Sequence, residues 1–236
     1  MYHLARYADE EDTPIGAMPG CYRLGWRHGL VEEVSKARDV GVNSIVLFPK
    51  VLNTLKVINT DVALDLYSSD GHNGIVTEDG KTTLSTMHAE RARAGADVVS
   101  PSDMMDGRIG AIQVALDDNG FQHVSIMSYT VNPANYRKVL VETREDESEG
   151  ADILLVKPGL PYLDIIRLLR DNSHLPIAAY QVSRLYSMNK AGGVLKMIDE
   201  ERVMMESLMC LRRAGVDIIL SYFALQTARY LRGEKR

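Results

Sequence analysis

The chain has 236 residues, 45% hydrophobic and 25% charged, which is enough to bury the core of one large domain. A net charge of −5 with no basic stripe argues against a nucleic-acid partner, and no apolar run approaches the length that spans a bilayer. Two cysteines, Cys21 and Cys210, without CxxC spacing exclude a disulfide framework and a thiolate zinc site, and they suit a reducing compartment.

In chain order, the opening Met1–Arg6 reads neither as a signal peptide nor as a Ser/Arg-rich transit peptide. Met1–Tyr7 is a short, partly polar candidate for a strand, followed by a helix near Arg27–Asp39. One pattern then recurs: a helical stretch, a small-residue turn and a β-branched apolar run. It occurs at Val40–Phe48, Ala94–Ser100, Gly150–Val156 and Ala214–Tyr222. Glycine at a helix end followed by a short buried strand is the αβ junction of a parallel sheet. Asp61–Asp65, His123–Tyr129 and Pro176–Ser183 add three strands, and helices are expected near Pro133–Glu149, Leu160–Arg170 and Glu200–Arg213.

Alternation of this kind fits a (β/α)₈ TIM barrel, with a doubly wound open sheet as the rival. No GxGxxG or GxxxxGK[ST] opens a helix, which weakens the nucleotide-binding form of the rival. Seven clear strands predict an incomplete barrel, a single domain over residues 1–236 with a short residual N-terminal arm. Asp65, Ser100 with Asp103, Ser128 with Tyr129, Lys157, Ser183 and Tyr222 all fall at C-terminal strand ends, the face that carries the chemistry of such barrels.

Lys157 is the sharpest candidate among them. It closes the run Ile153-Leu154-Leu155-Val156 and precedes Pro158, which cannot continue a sheet ladder. Partial desolvation there is expected to lower its pKa and expose a neutral amine that can attack a ketone to form a Schiff base. The bland alternative is a snorkelling lysine at a strand end.

The stretches Glu10–Gly20, Asp61–Asp65, Ser100–Arg108, Val156–Gly159 and Ala179–Ser183 resemble porphobilinogen synthase, also called 5-aminolevulinate dehydratase, most closely the plant plastid type. The resemblance spans most of positions 10 to 232, and it implies a (β/α)₈ barrel that condenses two 5-aminolevulinate molecules into porphobilinogen for haem and chlorophyll synthesis. It implies that Lys157 is the Schiff-base lysine, that Asp65 is a catalytic carboxylate, and that Ser183 and Tyr222 bind a substrate carboxylate. It also implies Mg²⁺ and no zinc: Ala63, Asp65 and Asn73 stand where the zinc-dependent branch has cysteines. Glu142, fifteen positions before Lys157, matches an allosteric Mg²⁺ ligand; the plain alternative is a solvated helix face with Glu145, Asp146 and Glu149. A homo-octamer in the chloroplast is implied as well, although no transit peptide is visible here.

The chain departs from the family at two places. Relatives carry a long segment between motifs like Ser128-Tyr129-Thr130 and Asn132–Tyr136, holding a second catalytic lysine, two basic substrate-binding residues and a lid; here Val131 alone bridges them. Relatives also place a further helix where Val51–Thr60 stands. The family's Ser-Gly-Glu-Tyr reads Ser183-Arg184-Leu185-Tyr186. Three functions are therefore expected in competition: the synthase itself; a catalytically impaired paralogue or splice product that survives as an oligomer partner; and a class I aldolase-like enzyme using one lysine.

Overall fold

The computed structural model describes residues 2–8, 11–25, 27–42, 44–49, 61–62, 84–101, 107–129 and 136–234. Its architecture begins with how helices stop. Helices α1 (Gly29–Asp39), α2 (Leu84–Arg93), α3 (Arg108–Asp118), α4 (Tyr136–Glu149) and α7 (Glu200–Ala214) run into Gly41, Gly95, Gly120, Gly150 and Gly215, all with φ between 79° and 117°. Each glycine N–H donates three residues back, and the next N–H donates five back, as in Val216 to Leu211 and Ala151 to Asp146. This Schellman geometry satisfies the orphan carbonyls of the helix and needs a left-handed residue, hence glycine. Four of these glycines are those of the repeated sequence pattern; Gly120 is a fifth.

Behind these turns lie the strands β4 (Ser44–Pro49), β6 (Val98–Pro101), β7 (Ser125–Ser128), β8 (Ile153–Val156) and β10 (Ile218–Ser221). With β5 (Asp61–Val62) and β9 (Ile177–Gln181) they form parallel ladders in chain order from β5 through β10. The first strand, β1 (Tyr2–Ala8), supplies the eighth. One edge of β1 pairs along its length with β4; the other takes β10 at Tyr2–His3 and then β3 (Tyr22–Gly25) at Arg6–Ala8. The short polar run at the start is thus a strand because both its edges are paired. A two-residue strand, β2 (Thr13–Pro14), folds antiparallel onto β3. At the seam, β4 and β5 touch, with no ladder between them among the described residues.

The remaining helices are α5 (Leu163–Asn172), preceded by a 3₁₀ turn at Leu160–Tyr162, α6 (Ser183–Val194) and α8 (Ala224–Leu231). Helices α2, α3, α6 and α8 go beyond those expected from periodicity. The strand expected over Pro176–Ser183 stops at Gln181, and Ser183 opens α6 instead. In β9 all five residues are buried, and Leu154, Leu155 and Val156 of β8 are too, as for strands covered on both faces.

The repeated Gly-x-Asp adds a register lock that the apolar pattern hides. Asp152 donates its N–H to the Ile126 carbonyl (3.0 Å), and its carboxylate accepts from the Ile126 N–H (2.8 Å). Asp217 does the same with Ile177, at 2.8 and 2.9 Å. Burial pushes the Asp217 carboxyl up, but the Ile177 amide and the Arg170 guanidinium outweigh it, so the group sits below the usual carboxylate range. Arg170 also donates to the Gly215 carbonyl, closing the turn from outside.

Two outcomes follow for stability. A Cβ at Gly41 would meet nothing within 4 Å, whereas one at Gly215 would lie 2.9 Å from Arg170 Cγ. Gly41→Ala should therefore cost only the left-handed penalty of about 1–2 kcal/mol, and Gly215→Ala measurably more, as read from urea midpoints.

His88 on α2 is fully buried with Arg91 Nη1 2.9 Å from its Nδ1; burial first, then the Arg91 and Arg108 charges, lower its pKa to about 3. The unfolded chain takes up that proton near 6.5, the ordinary value for a histidine, while the folded chain stays neutral until about 3. The stabilisation is present above pH 6.5 and is lost as pH falls towards 3, by up to about 1.4 kcal/mol per unit. His88→Gln should flatten the fall in the urea midpoint between pH 7 and pH 5.

Candidate active site

Lys157 follows β8 directly, and its bond to Pro158 is cis. The side chain is half-buried, and its Nζ lies 4.7 Å from the ring centroid of Tyr129, which follows β7 directly and is buried. An aromatic face at that distance attracts a cation, so it suits a positively charged iminium on the same nitrogen. Ring and amine come from adjacent strand ends, and the chain order around the sheet makes them neighbours.

Tyr222 is the first residue after β10 and is buried. Its hydroxyl lies 3.1 Å from that of Tyr180 on β9, the two rings 6.3 Å apart. Below them, Ser221 Oγ donates to Gln181 Oε1 (2.7 Å) and accepts from the Phe223 N–H (3.0 Å), which ties the ends of β9 and β10 together. Ser183, in the first turn of α6, is half-buried where a helix start favours an anion. Arg184, the next residue, is exposed.

The remaining candidates are placed as follows. Ser128 reaches Asp146 of α4 (2.7 Å), so its hydroxyl serves a strand–helix contact. Glu142 on α4 has a one-fifth exposed side chain, 3.8 Å from Lys138 Nζ. Among the described residues, no three His, Cys, Asp or Glu side chains form a metal-holding group. Asp65, with Ala63, Asn73 and Asp103, lies outside the described residues, as does the stretch 130–135. Tyr129 and Tyr180 are the site residues whose roles sequence reasoning missed. Alternation could have placed their rings at strand ends, but not which amine or hydroxyl each would meet.

The stretch 13–20 docks onto α6: Tyr186 donates to the Pro19 carbonyl (2.7 Å), Ser187 donates to the Ala17 carbonyl, and Met18 is buried in the main core. Outside it lies a cavity of about 530 Å³ whose walls include Asp12, Cys21, Lys36, Tyr186, Tyr222 and Arg229; Lys157 and Ser183 do not line it.

A parallel barrel with a lysine at the end of β8, its amine on an aromatic face, and a tyrosine hydroxyl at the end of β10 is the equipment of a Schiff-base lyase. Comparison with known proteins narrows the class. The family profile of delta-aminolevulinic acid dehydratase matches residues 50–132 and 129–230. The chloroplastic dehydratase of Pisum sativum is 62% identical over 299 residues, covering all of this chain and 75% of that protein. Dehydratase 1 of Arabidopsis thaliana is likewise 62% identical, with 70% of it covered. The crystal structure of the Toxoplasma gondii enzyme, also named porphobilinogen synthase and holding its reaction product porphobilinogen, superposes with a TM-score of 0.88 at 36% identity, covering 97% of this chain and 84% of that one. The chain belongs to the delta-aminolevulinic acid dehydratase family, a family of lyases.

The same comparisons carry the departures. The alignment to the pea protein runs to 299 positions against 236 residues here, a difference of 63 that falls in gaps of this chain. The profile match falls into two pieces that overlap at residues 129–132, around Val131.

Proposed function

We propose that this chain is a plastid porphobilinogen synthase of one Schiff-base lysine, acting on 5-aminolevulinate with Lys157 as nucleophile. The observation that supports it is the Lys157 amine over the Tyr129 ring at the end of β8. The amine adds to the ketone carbon, the carbinolamine loses water, and the resulting iminium rests on the ring face. Ser183 and Tyr222 receive the substrate carboxylate, Tyr222 with its hydroxyl bonded to Tyr180. Asp65 is assigned as a catalytic carboxylate, and residues 1–236 as one barrel domain, on the family resemblance.

The proposed cation is Mg²⁺, and zinc is not required, since Ala63, Asp65 and Asn73 offer no thiolate. Mg²⁺ keeps most of its waters and takes one or two carboxylates, so the partly exposed Glu142 fits as its single protein ligand. Bound there, the ion supplies a fixed charge on α4, outside the chemistry. The family's octamer is proposed for assembly, and the plastid follows from relatives named chloroplastic.

A second reading is favoured by the split match at 129–132: a slow or silent subunit that persists as an oligomer partner. Losing a second covalent anchor removes the orientation that makes a condensation of two substrates quick, and losing a lid admits water. An aldolase-like use of the single lysine needs no second anchor.

Borohydride added with 5-aminolevulinate should leave a reduced adduct on Lys157 by peptide mass mapping; an adduct on Lys50 or Lys190, or none, would refute the assignment.

Porphobilinogen formation should run several orders of magnitude below that of the pea enzyme, as when one member of a cooperating set is removed. It should survive zinc chelation, and Glu142→Ala should abolish the Mg²⁺ response while sparing basal turnover. Grafting the relatives' segment between Thr130 and Asn132 should raise the rate. Turnover by the unmodified chain equal to that of the pea enzyme would show the second lysine to be dispensable.

A further inference from the structure

Tyr222 is backed by a second layer of side chains. The Tyr186 ring meets it edge-on at 5.7 Å and packs against Phe223 at 4.5 Å, while the Tyr186 hydroxyl is anchored on the Pro19 carbonyl. One turn further along α6, Lys190 Nζ lies 5.6 Å from the centroids of both the Tyr186 and the Phe223 ring. That ammonium is only 14% exposed; it pairs with Glu200 of α7 at 2.6 Å and donates to Gln226 of α8 at 3.3 Å, and Gln226 in turn donates to Glu200 at 3.3 Å. Three helices meet at one half-buried cation, and the cation caps the rings behind Tyr222.

A largely desolvated ion pair such as Lys190–Glu200 is weak ground for stability, because apolar residues of the same volume often do as well. Its distinctive property is direction: a cation held by two fixed acceptors sets where the ring faces must lie. Tyr222 needs that constraint. Tyr222, buried in the main core, shares a wall of the cavity of about 530 Å³ with Tyr186, Lys190 and Gln226, so the side chains that set its ring there are these neighbours. A tyrosine hydroxyl binds a carboxylate well only within a few tenths of an ångström of about 2.7 Å.

We propose that Lys190 and Tyr186 are positioning residues for carboxylate recognition: Lys190, fixed by Glu200 and Gln226, sets the Tyr186 and Phe223 rings, and Tyr186 sets the tyrosine whose hydroxyl receives the substrate carboxylate. This rests on the reading of Tyr222 given above and extends it to two residues that touch no substrate.

The test compares Schiff-base capture of two ketones by the full chain: 4-oxopentanoate, and 2-pentanone, in which a methyl replaces the carboxylate. Half-saturation is read by borohydride trapping and intact mass. Tyr186→Leu, and Lys190→Met made together with Glu200→Gln so that no charge is stranded, should each raise the 4-oxopentanoate half-saturation about tenfold and shift 2-pentanone less than about twofold. Lys190→Arg should keep the preference, and Tyr186→Leu should add little once Tyr222→Phe is present. If Tyr222→Phe abolishes the keto-acid preference while both other changes leave it intact, the relay is wrong and the Tyr222 reading stands. Equal weakening of both ketones with a lowered melting temperature would reduce the cluster to a folding element. Retention of the preference by Tyr222→Phe would overturn the carboxylate reading, and this proposal with it.

Discussion

Everything at the mouth of this barrel depends on where the helices stop at the opposite face. Lys157 stands seven residues after Gly150 and Tyr222 seven after Gly215, so the two are equivalent positions of one repeated unit. Strands β8 and β10 are four residues long, and a slip of one residue would turn every side chain to the other face. The left-handed glycine sets the starting point, and the aspartate two residues later pins it to the neighbouring strand through both backbone and side chain. Those bonds are what place an amine and a hydroxyl on the same rim.

The rim is then furnished chiefly with rings. Tyr129 lies beneath the lysine, Tyr180 and Tyr222 share a hydroxyl contact, and Tyr186 backs the pair. Tyrosine suits this double duty, since its body packs like a core residue and its tip still offers a donor and an acceptor. The rings belong to the main apolar core, while the Tyr180 and Tyr222 hydroxyls meet at the strand ends and that of Tyr186 is held by Pro19. A substitution there is felt as packing and as recognition at once, which is why a ratio between two ligands, rather than a rate alone, separates the effects.

The sequence made the frame legible wherever a glycine preceded an apolar run, because both signals are local: the units at Gly41, Gly95, Gly150 and Gly215 all fold as read. The strand end at Lys157 was legible for the same reason, as proline breaks a ladder wherever it stands. What was hidden depends on partners distant in the chain. β1, legible only as a short, partly polar candidate, is a strand whose edges are taken by β4, β10 and β3. Ser183 reads as the tail of an apolar run but opens α6, where Tyr186 is fixed by Pro19, far away in sequence. Ser128 has the pattern of a rim residue, yet its hydroxyl goes to Asp146. Periodicity says which side of a strand a residue takes, and it is silent about which neighbour claims its polar atom.

The recurring glycine turn has a consequence for how such a chain can change. Each βα unit counts its register from its own turn, so residues lost between a strand's C-terminal end and the next helix leave the numbering of the following strand undisturbed. The 299 positions aligned to the pea relative against 236 residues here show how much can go while β6 to β10 remain laddered. Frame and furnishing can therefore vary separately: chain length outside the laddered strands can change while an amine at the end of β8 and a hydroxyl at the end of β10 keep their places.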